Sequence, residues 1–397
     1  DGTPEQRALL AKNLFVATPT DLEQLFFVYE ENDYGNLPSF VTTDLVAQLY
    51  HVFYDSVLRK VEAGKLLPLA RKLTAGMLKQ ATATWSAAAD PDVKAAALGV
   101  VAYFGVADRL FGGDAPVPAE AAAVVDAEVA RVGKHEGLAP SGVFPYKIDY
   151  SLFAVRGHYT RTKALGAYFK GMAWFGIAPF AFRRQVERQG SVACPECVRM
   201  ALLVARDLRA AKLEGTWQAL YEPTAFFVGA SDDVTPIALA ALADEFFGKD
   251  APTQAFADAA RLEAFAKLAA GRFQARIRAK VRHTFGTLLP FPDPEAPQVR
   301  FMGQRYIADS EVLQRVSHPG GEATEPRFFA YGMDVMAALG SARARAHLDG
   351  AWADLFDTRK WVGYGPERKA VEADFVAWTD ADWTRNLYNG WLWTLKA

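Results

Sequence analysis

The sequence predicts a mainly α protein: one large multi-helix domain with a small β-hairpin element and two long ordered loops. Three observations carry this reading. Apolar residues recur at helical spacing through most of the 397-residue chain, and alanine, which costs least in a helix, is frequent there. Start and stop signals punctuate these segments. The composition, 51% hydrophobic and 23% charged with 27 Phe, 14 Tyr and 9 Trp, supplies a sizeable core and excludes disorder as the dominant state. No linker, fixed-period repeat or low-complexity tract divides residues 1–397, and 284–330 is the one place where a subdivision would fall.

Taken in order, Thr20 and Glu23 form a capping box ahead of Leu25, Phe26 and Phe27. Helical periodicity runs over 41–63 and 66–88. Asp90-Pro91 is an N-cap followed by a first-turn proline, and Gly112-Gly113 closes that helix. Further helices are expected at 117–135, 161–175 and 195–213. Thr235-Pro236 repeats the start signal for a helix that Gly248 ends, and periodicity continues at 253–269, 341–357, 366–378 and 381–396. Two stretches break the pattern, 137–160 and 284–330, rich in Gly, Pro and aromatics, with Pro290, Pro292, Pro294 and Pro297 in the second. Loops this long are usually functional or disordered, and their aromatic content argues for order. Residues 299–307 alternate as a strand would, which places the hairpin there.

Charge excludes one partner class. With 44 Lys and Arg against 46 Asp and Glu the net charge is −2, so nothing global supplies the basic surface that nucleic acid requires. No apolar run reaches the roughly 18–20 residues of a membrane span. The opening Asp1-Gly2-Thr3-Pro4 is consistent with a removed signal peptide, and equally with trimming.

The helix at 41–63 carries a narrow polar stripe. At about 100° per residue, Asp44, Gln48, His51, Asp55 and Arg59 fall within an arc of about 80° on an otherwise apolar helix, which predicts deep packing. The stripe then faces either solvent or an internal cavity. His51 and Asp55 are one turn apart, near enough for the carboxylate to orient the imidazole as general base or metal ligand, so a divalent metal is an open cofactor. Asp44 and Asp55 lie ~16 Å apart along the axis, too far for a glycosidase carboxylate pair.

Several motifs together resemble the bacterial family known as domain of unknown function 3160. They begin with Leu37-Pro38-Ser39-Phe40-Val41-Thr42-Thr43-Asp44, leading to Leu49-Tyr50-His51 and Tyr54-Asp55. Asp149-Tyr150 with Arg156-Gly157-His158-Tyr159-Thr160-Arg161 follows, then Phe227-Val228-Gly229-Ala230-Ser231-Asp232-Asp233. Met302-Gly303-Gln304-Arg305 with Asp309-Ser310, Asp334-Val335-Met336-Ala337 with Leu339-Gly340-Ser341, and Leu387-Tyr388-Asn389-Gly390-Trp391-Leu392 complete the pattern. The resemblance spans about residues 14–396. It implies a secreted protein or lipoprotein outside the cytoplasm and no particular activity.

The remaining candidates each have two readings. Arg156 and His158 are placed to bind an anion or move a proton, or to pin the loop to a buried carboxylate. Gln304, Arg305 and Asp309 either line a cleft or form a buried network. Ser231, Asp232 and Asp233 offer oxygen ligands, but their place before Thr235-Pro236 favours complementing a helix dipole. Cys194-Pro195-Glu196-Cys197 reads as a small disulfide rather than a redox or zinc site. His135, His283, His318 and His347 are isolated in sequence, and Trp383, Leu387 and Trp391 have the spacing of core packing.

Two functions therefore stay open. One is an extracytoplasmic hydrolase in whose cleft His51, Asp55, Asp44, His158, Arg156, Arg305 and Asp309 would carry the chemistry. The other is a non-catalytic cell-envelope protein that binds glycan, peptide or a partner subunit.

Overall fold

The computed structural model describes the chain except for residues 1, 14–15, 17–20, 40–42, 278–290, 318–326, 328–330, 351, 354–360, 362 and 397. Thr20 of the expected capping box, His283, Pro290, His318 and part of the 284–330 loop therefore lie outside the described residues, as does the side chain of Asp44. The described chain is mainly helical and falls into two compact units, Asp1–Tyr54 and Asp55–Ala397.

The first unit holds α1 (Pro4–Asn13), α2 (Leu25–Tyr34) and most of α3 (Thr43–Val61). Its apolar residues are not deeply packed, contrary to the deep packing expected of α3. Val46, Leu49, Val52 and Phe53 are 46–56% exposed, and no described residue of this unit is fully buried. The reason is size, because a segment this short cannot enclose a core of its own.

In the second unit α3 does not stop before the next helix. It passes through a π-turn, Glu62–Leu66, into α4 (Leu67–Ala87). Pro68 explains the widened turn: its ring would clash with the carbonyl four residues back in a regular helix. At the centre lies α5 (Pro91–Leu110), started by Asp90, whose Oδ1 accepts from the Asp92 and Val93 amides at 3.0 Å. Around it pack α4, α6 (Ala119–Lys134), and, beyond a β1 (Leu138–Pro140)–β2 (Lys147–Asp149) hairpin, α7 (Lys163–Ile177) and α8 (Pro195–Ala210). Tyr103, Phe104, Phe111, Trp174 and Phe175 form the aromatic heart of this core. The Trp174 indole donates to the Tyr103 carbonyl at 3.0 Å, so the ring is buried without an orphaned N–H. The 137–160 stretch is thus ordered, by this hairpin and by 3₁₀ turns at Tyr150–Phe153 and Gly157–Arg161.

The strand expected over 299–307 is shorter and pairs elsewhere. Between α7 and α8 run β3 (Phe180–Ala181), β4 (Arg183–Val186) and β5 (Gly190–Ala193). β4 and β5 form an antiparallel hairpin extended by β6 (Phe291–Pro292), while β7 (Gln298–Val299) pairs with β3. From Arg300 onward the chain turns inward, because Phe301 and Met302 enter the core and Gly303 comes so close to Ser231 that a Cβ there would collide.

After α8 come α9 (Glu214–Phe227), α10 (Pro236–Phe247) and α11 (Ala259–Arg272). The helix expected at 253–269 begins later, since Thr253–Phe256 is a 3₁₀ turn and Asp258 caps α11. The C-terminal elements are α12 (Ala308–Arg315), α13 (Gly332–Ala338), α14 (Ala342–Asp349), α15 (Tyr364–Val376), α16 (Asp380–Trp383) and α17 (Leu387–Lys396). They enclose a second cluster containing Val312, Leu339, Phe375, Trp383 and Leu392. The expected single helix at 381–396 is broken because Asn386 accepts the Asn389 amide at 2.7 Å and restarts it as α17.

Candidate functional site

Two polar assemblies stand out in the second unit. The first joins the end of α3 and the π-turn to the Gly157–Arg161 turn. Asp55 and Glu62 are seven residues apart, two helical turns, and so project from one side of the helix. His158 enters between them, its Nε2 2.9 Å from Glu62 Oε2 and its Nδ1 3.5 Å from Asp55 Oδ1. Tyr159 donates to the other Glu62 oxygen at 2.9 Å. Arg59 bonds Asp55 at 2.9 Å and Arg161 lies 3.8 Å from it, so Asp55 already faces two guanidinium groups. Burial raises the Glu62 carboxyl above its ordinary value, against the opposing bonds from His158 and Tyr159. Asp55 and Glu62 hold opposite nitrogens of one imidazole and so do not converge on a common point. Among the described residues no group of three or more His, Cys, Asp or Glu is arranged to hold a metal ion.

The other sequence candidates lie as follows. His51 is exposed on α3 in the first unit. Arg156 is exposed, donates to the Leu152 carbonyl at 3.3 Å and stacks over Phe169 at 5.3 Å, so it pins its own turn and not a buried carboxylate. Arg305 sits over the Tyr221 ring at 4.4 Å and donates to Thr224, and burial lowers its pKa. Asp309 accepts from the Tyr388 hydroxyl at 2.8 Å. Asp55 and His158 are thus brought together, while Arg305 and Asp309 each hold an aromatic partner instead. Glu62 was missed in the sequence, although its spacing from Asp55 is the signal that would have found it.

The second assembly is a cleft of about 490 Å³ among the 231–234 segment, the end of α11 and the 294–304 segment. Its base is an ion pair between Asp233 and Arg300, both largely buried. Arg300 also donates to Gln298 Oε1 at 2.8 Å, and its Nε is buried without a partner among the described residues. Burial raises the Asp233 carboxyl despite the adjacent guanidinium, and the Gln304 amide donates to it at 3.1 Å. Asp232 accepts the Arg276 and Ile277 amides at 3.1 and 2.6 Å. These acids thus bond loop amides and Arg300, and neither is the cap of α10. Thr235 caps that helix, accepting the Ala238 amide at 3.2 Å, and frees them to hold loops together. Nothing in the sequence pairs Asp233 with Arg300, 67 residues away.

Cys194 and Cys197 are joined by a disulfide at the start of α8, and both are fully buried. Trp383 is buried as its spacing suggested. Among the described residues no helix is long and apolar enough to cross a membrane.

No curated protein and no solved structure matches the chain. The family model described as "Protein of unknown function (DUF3160)" matches residues 3–397. That match covers nearly the whole chain, and the protein belongs to the DUF3160 family.

Proposed function

We propose that the protein is a non-catalytic binding protein of the cell envelope, working outside the cytoplasm, that holds a polar ligand in the Asp233–Arg300 cleft. The observation that carries this is the cleft itself, whose volume falls in the range of small-molecule sites and whose base is a largely buried ion pair. Its described lining includes three carboxylates, Asp232, Asp233 and Glu295, and three guanidinium groups, Arg300 and the outward-paired Arg272 and Arg276, which bond Glu245 and Glu311. Such a balanced lining suits a ligand that is polar but carries little net charge. The buried disulfide fits an oxidising compartment. Titrating ¹⁵N-labelled protein with blocked peptides and with N-acetylglucosamine oligomers tests the reading. Amide shifts confined to the cleft segments are expected, and their absence with every probe at millimolar concentration would sink it.

A hydrolytic reading draws on the raised Glu62 carboxyl beside His158. The geometry weighs against it, since both imidazole nitrogens already face carboxylates and neither is left for a water. It would gain ground if purified protein turned over a chromogenic ester, phosphate or glycoside and His158→Ala abolished the turnover.

A further inference from the structure

A second cavity of about 270 Å³ adjoins the cleft, and Ala270, Glu295, Ala296 and Pro297 line both. Phe182, Ala193 and Ala266 give it an apolar floor, and Arg183, Glu263, Lys267, Asp293 and Glu295 supply its charged lining. A polar cleft and a smaller chamber with an apolar floor thus meet along Ala270 and the 295–297 segment.

Resting on the binding reading above, we infer that the ligand is an extended, uncharged peptide segment whose main chain lies in the polar cleft and whose aliphatic side chain fills the adjoining chamber. Main-chain amides need donors and acceptors together, and the side-chain amides of Gln274 and Gln304 supply both without an internal hydrogen bond of their own among the described residues. The balanced carboxylates and guanidinium groups disfavour a ligand of either strong charge. A sugar ring would look for an aromatic face, and Phe273 is the one ring among the described lining residues of the cleft. The chamber behind Ala270 provides what a peptide has and a plain oligosaccharide lacks, a place for an alkyl side chain.

The test compares N-acetyl-Gly-Gly-amide with N-acetyl-Leu-Gly-amide on the intact protein by NMR titration. The leucine peptide is expected to bind about tenfold more tightly, as burying one aliphatic side chain implies. Ala266→Leu, which fills the chamber, is expected to abolish that preference and spare the glycine peptide. Should that variant lose stability, Ala270→Trp on the exposed wall is expected to weaken both peptides. Equal affinity of the two peptides for the wild type overturns the side-chain chamber while leaving the cleft reading intact. Shifts in the cleft with N-acetylglucosamine oligomers and none with either peptide overturn the peptide assignment alone. Silence with every probe overturns both.

Discussion

Nε2 of His158 lies 2.9 Å from a carboxylate oxygen of Glu62, a residue 96 positions earlier in the chain and almost fully buried. This contact ties the Gly157–Arg161 turn to the π-turn at the end of α3. Removing the imidazole leaves the Glu62 carboxylate with the Tyr159 hydroxyl as its one remaining hydrogen-bond donor among the described residues. His158→Ala is therefore expected to cost about 1–3 kcal/mol, with part recovered by adding Glu62→Gln, which removes the stranded charge. Urea unfolding midpoints of the single and double variants check this. An unchanged midpoint for His158→Ala would show that the contact carries no stability.

Asp207 gives a pH dependence with a definite sign. It is fully buried on α8, accepts from Thr84 at 2.7 Å, and burial pushes its pKa from 3.8 up to about 6. A carboxyl raised in the folded state contributes stability in full below its unfolded value and loses it as pH rises through its folded value. Stability from this group is thus complete below about pH 4 and declines through about pH 6, by about 3 kcal/mol in all. Asp207→Asn keeps a partner for Thr84 and cannot ionise. Plotting the difference in unfolding free energy between wild type and variant from pH 4 to 7.5 isolates the term, and a flat difference refutes it.

In the C-terminal cluster Arg327 pairs with Asp334 at 2.6 Å, and both are almost completely buried. Asp334 also accepts from the Tyr364 hydroxyl at 2.7 Å and from the Tyr331 amide at 3.0 Å. Asp334→Ala strands a buried guanidinium and is expected to cost about 3–5 kcal/mol. Tyr364→Phe removes one bond and should cost about 1 kcal/mol. Thermal unfolding of the two variants measures the gap.

Gly171 on α7 marks a close approach of helix backbone to the core, because a Cβ there would run into the Phe111 ring. Gly171→Ala is expected to destabilise by about 1–3 kcal/mol although alanine is the better helix former. Gly133 on α6 has open space at its Cβ, so Gly133→Ala is the matched control and should stabilise by a few tenths to about 1 kcal/mol. Calorimetry on the pair decides the matter.

Protein unfolded without reductant should take up no alkylating label at Cys194 or Cys197, and after reduction both should react. Mass spectrometry of protein isolated from its native host provides the count. Two labelled thiols in the unreduced sample would remove the support that the disulfide gives to an extracytoplasmic location.

Much of the helical framework is legible in the sequence because helix signals are local. Asp90-Pro91 and Thr235-Pro236 start helices where expected, and each cap is satisfied within three residues. The π-turn at Glu62–Leu66 escaped because periodicity runs through it, and the break at Asn386 because a side-chain cap interrupts an otherwise unbroken apolar pattern. The polar stripe on α3 pointed to Asp55 but attached it to His51, its neighbour along the helix. His158, some hundred residues away, supplies the contact that the structure describes.

The sequence by itself determined most of the longer helices, the Asp90 and Thr235 caps, the Cys194–Cys197 pair and the family, since each depends on residues close together or on the order of motifs. By contrast, α1, α9, α12 and α13 were not expected, and α2 starts after an uncapped Gln24 rather than at the Thr20–Glu23 box. Only the tertiary structure decided which charges meet. Asp233 finds Arg300 and Glu62 finds His158 across 67 and 96 positions, and the chamber beside the cleft is assembled from Phe182, β4, β5, α11 and the 293–297 segment. The physical reason is that a buried charge is tolerable only beside its partner, and which partner arrives is set by how the helices pack, a non-local outcome that spacing along one helix cannot encode.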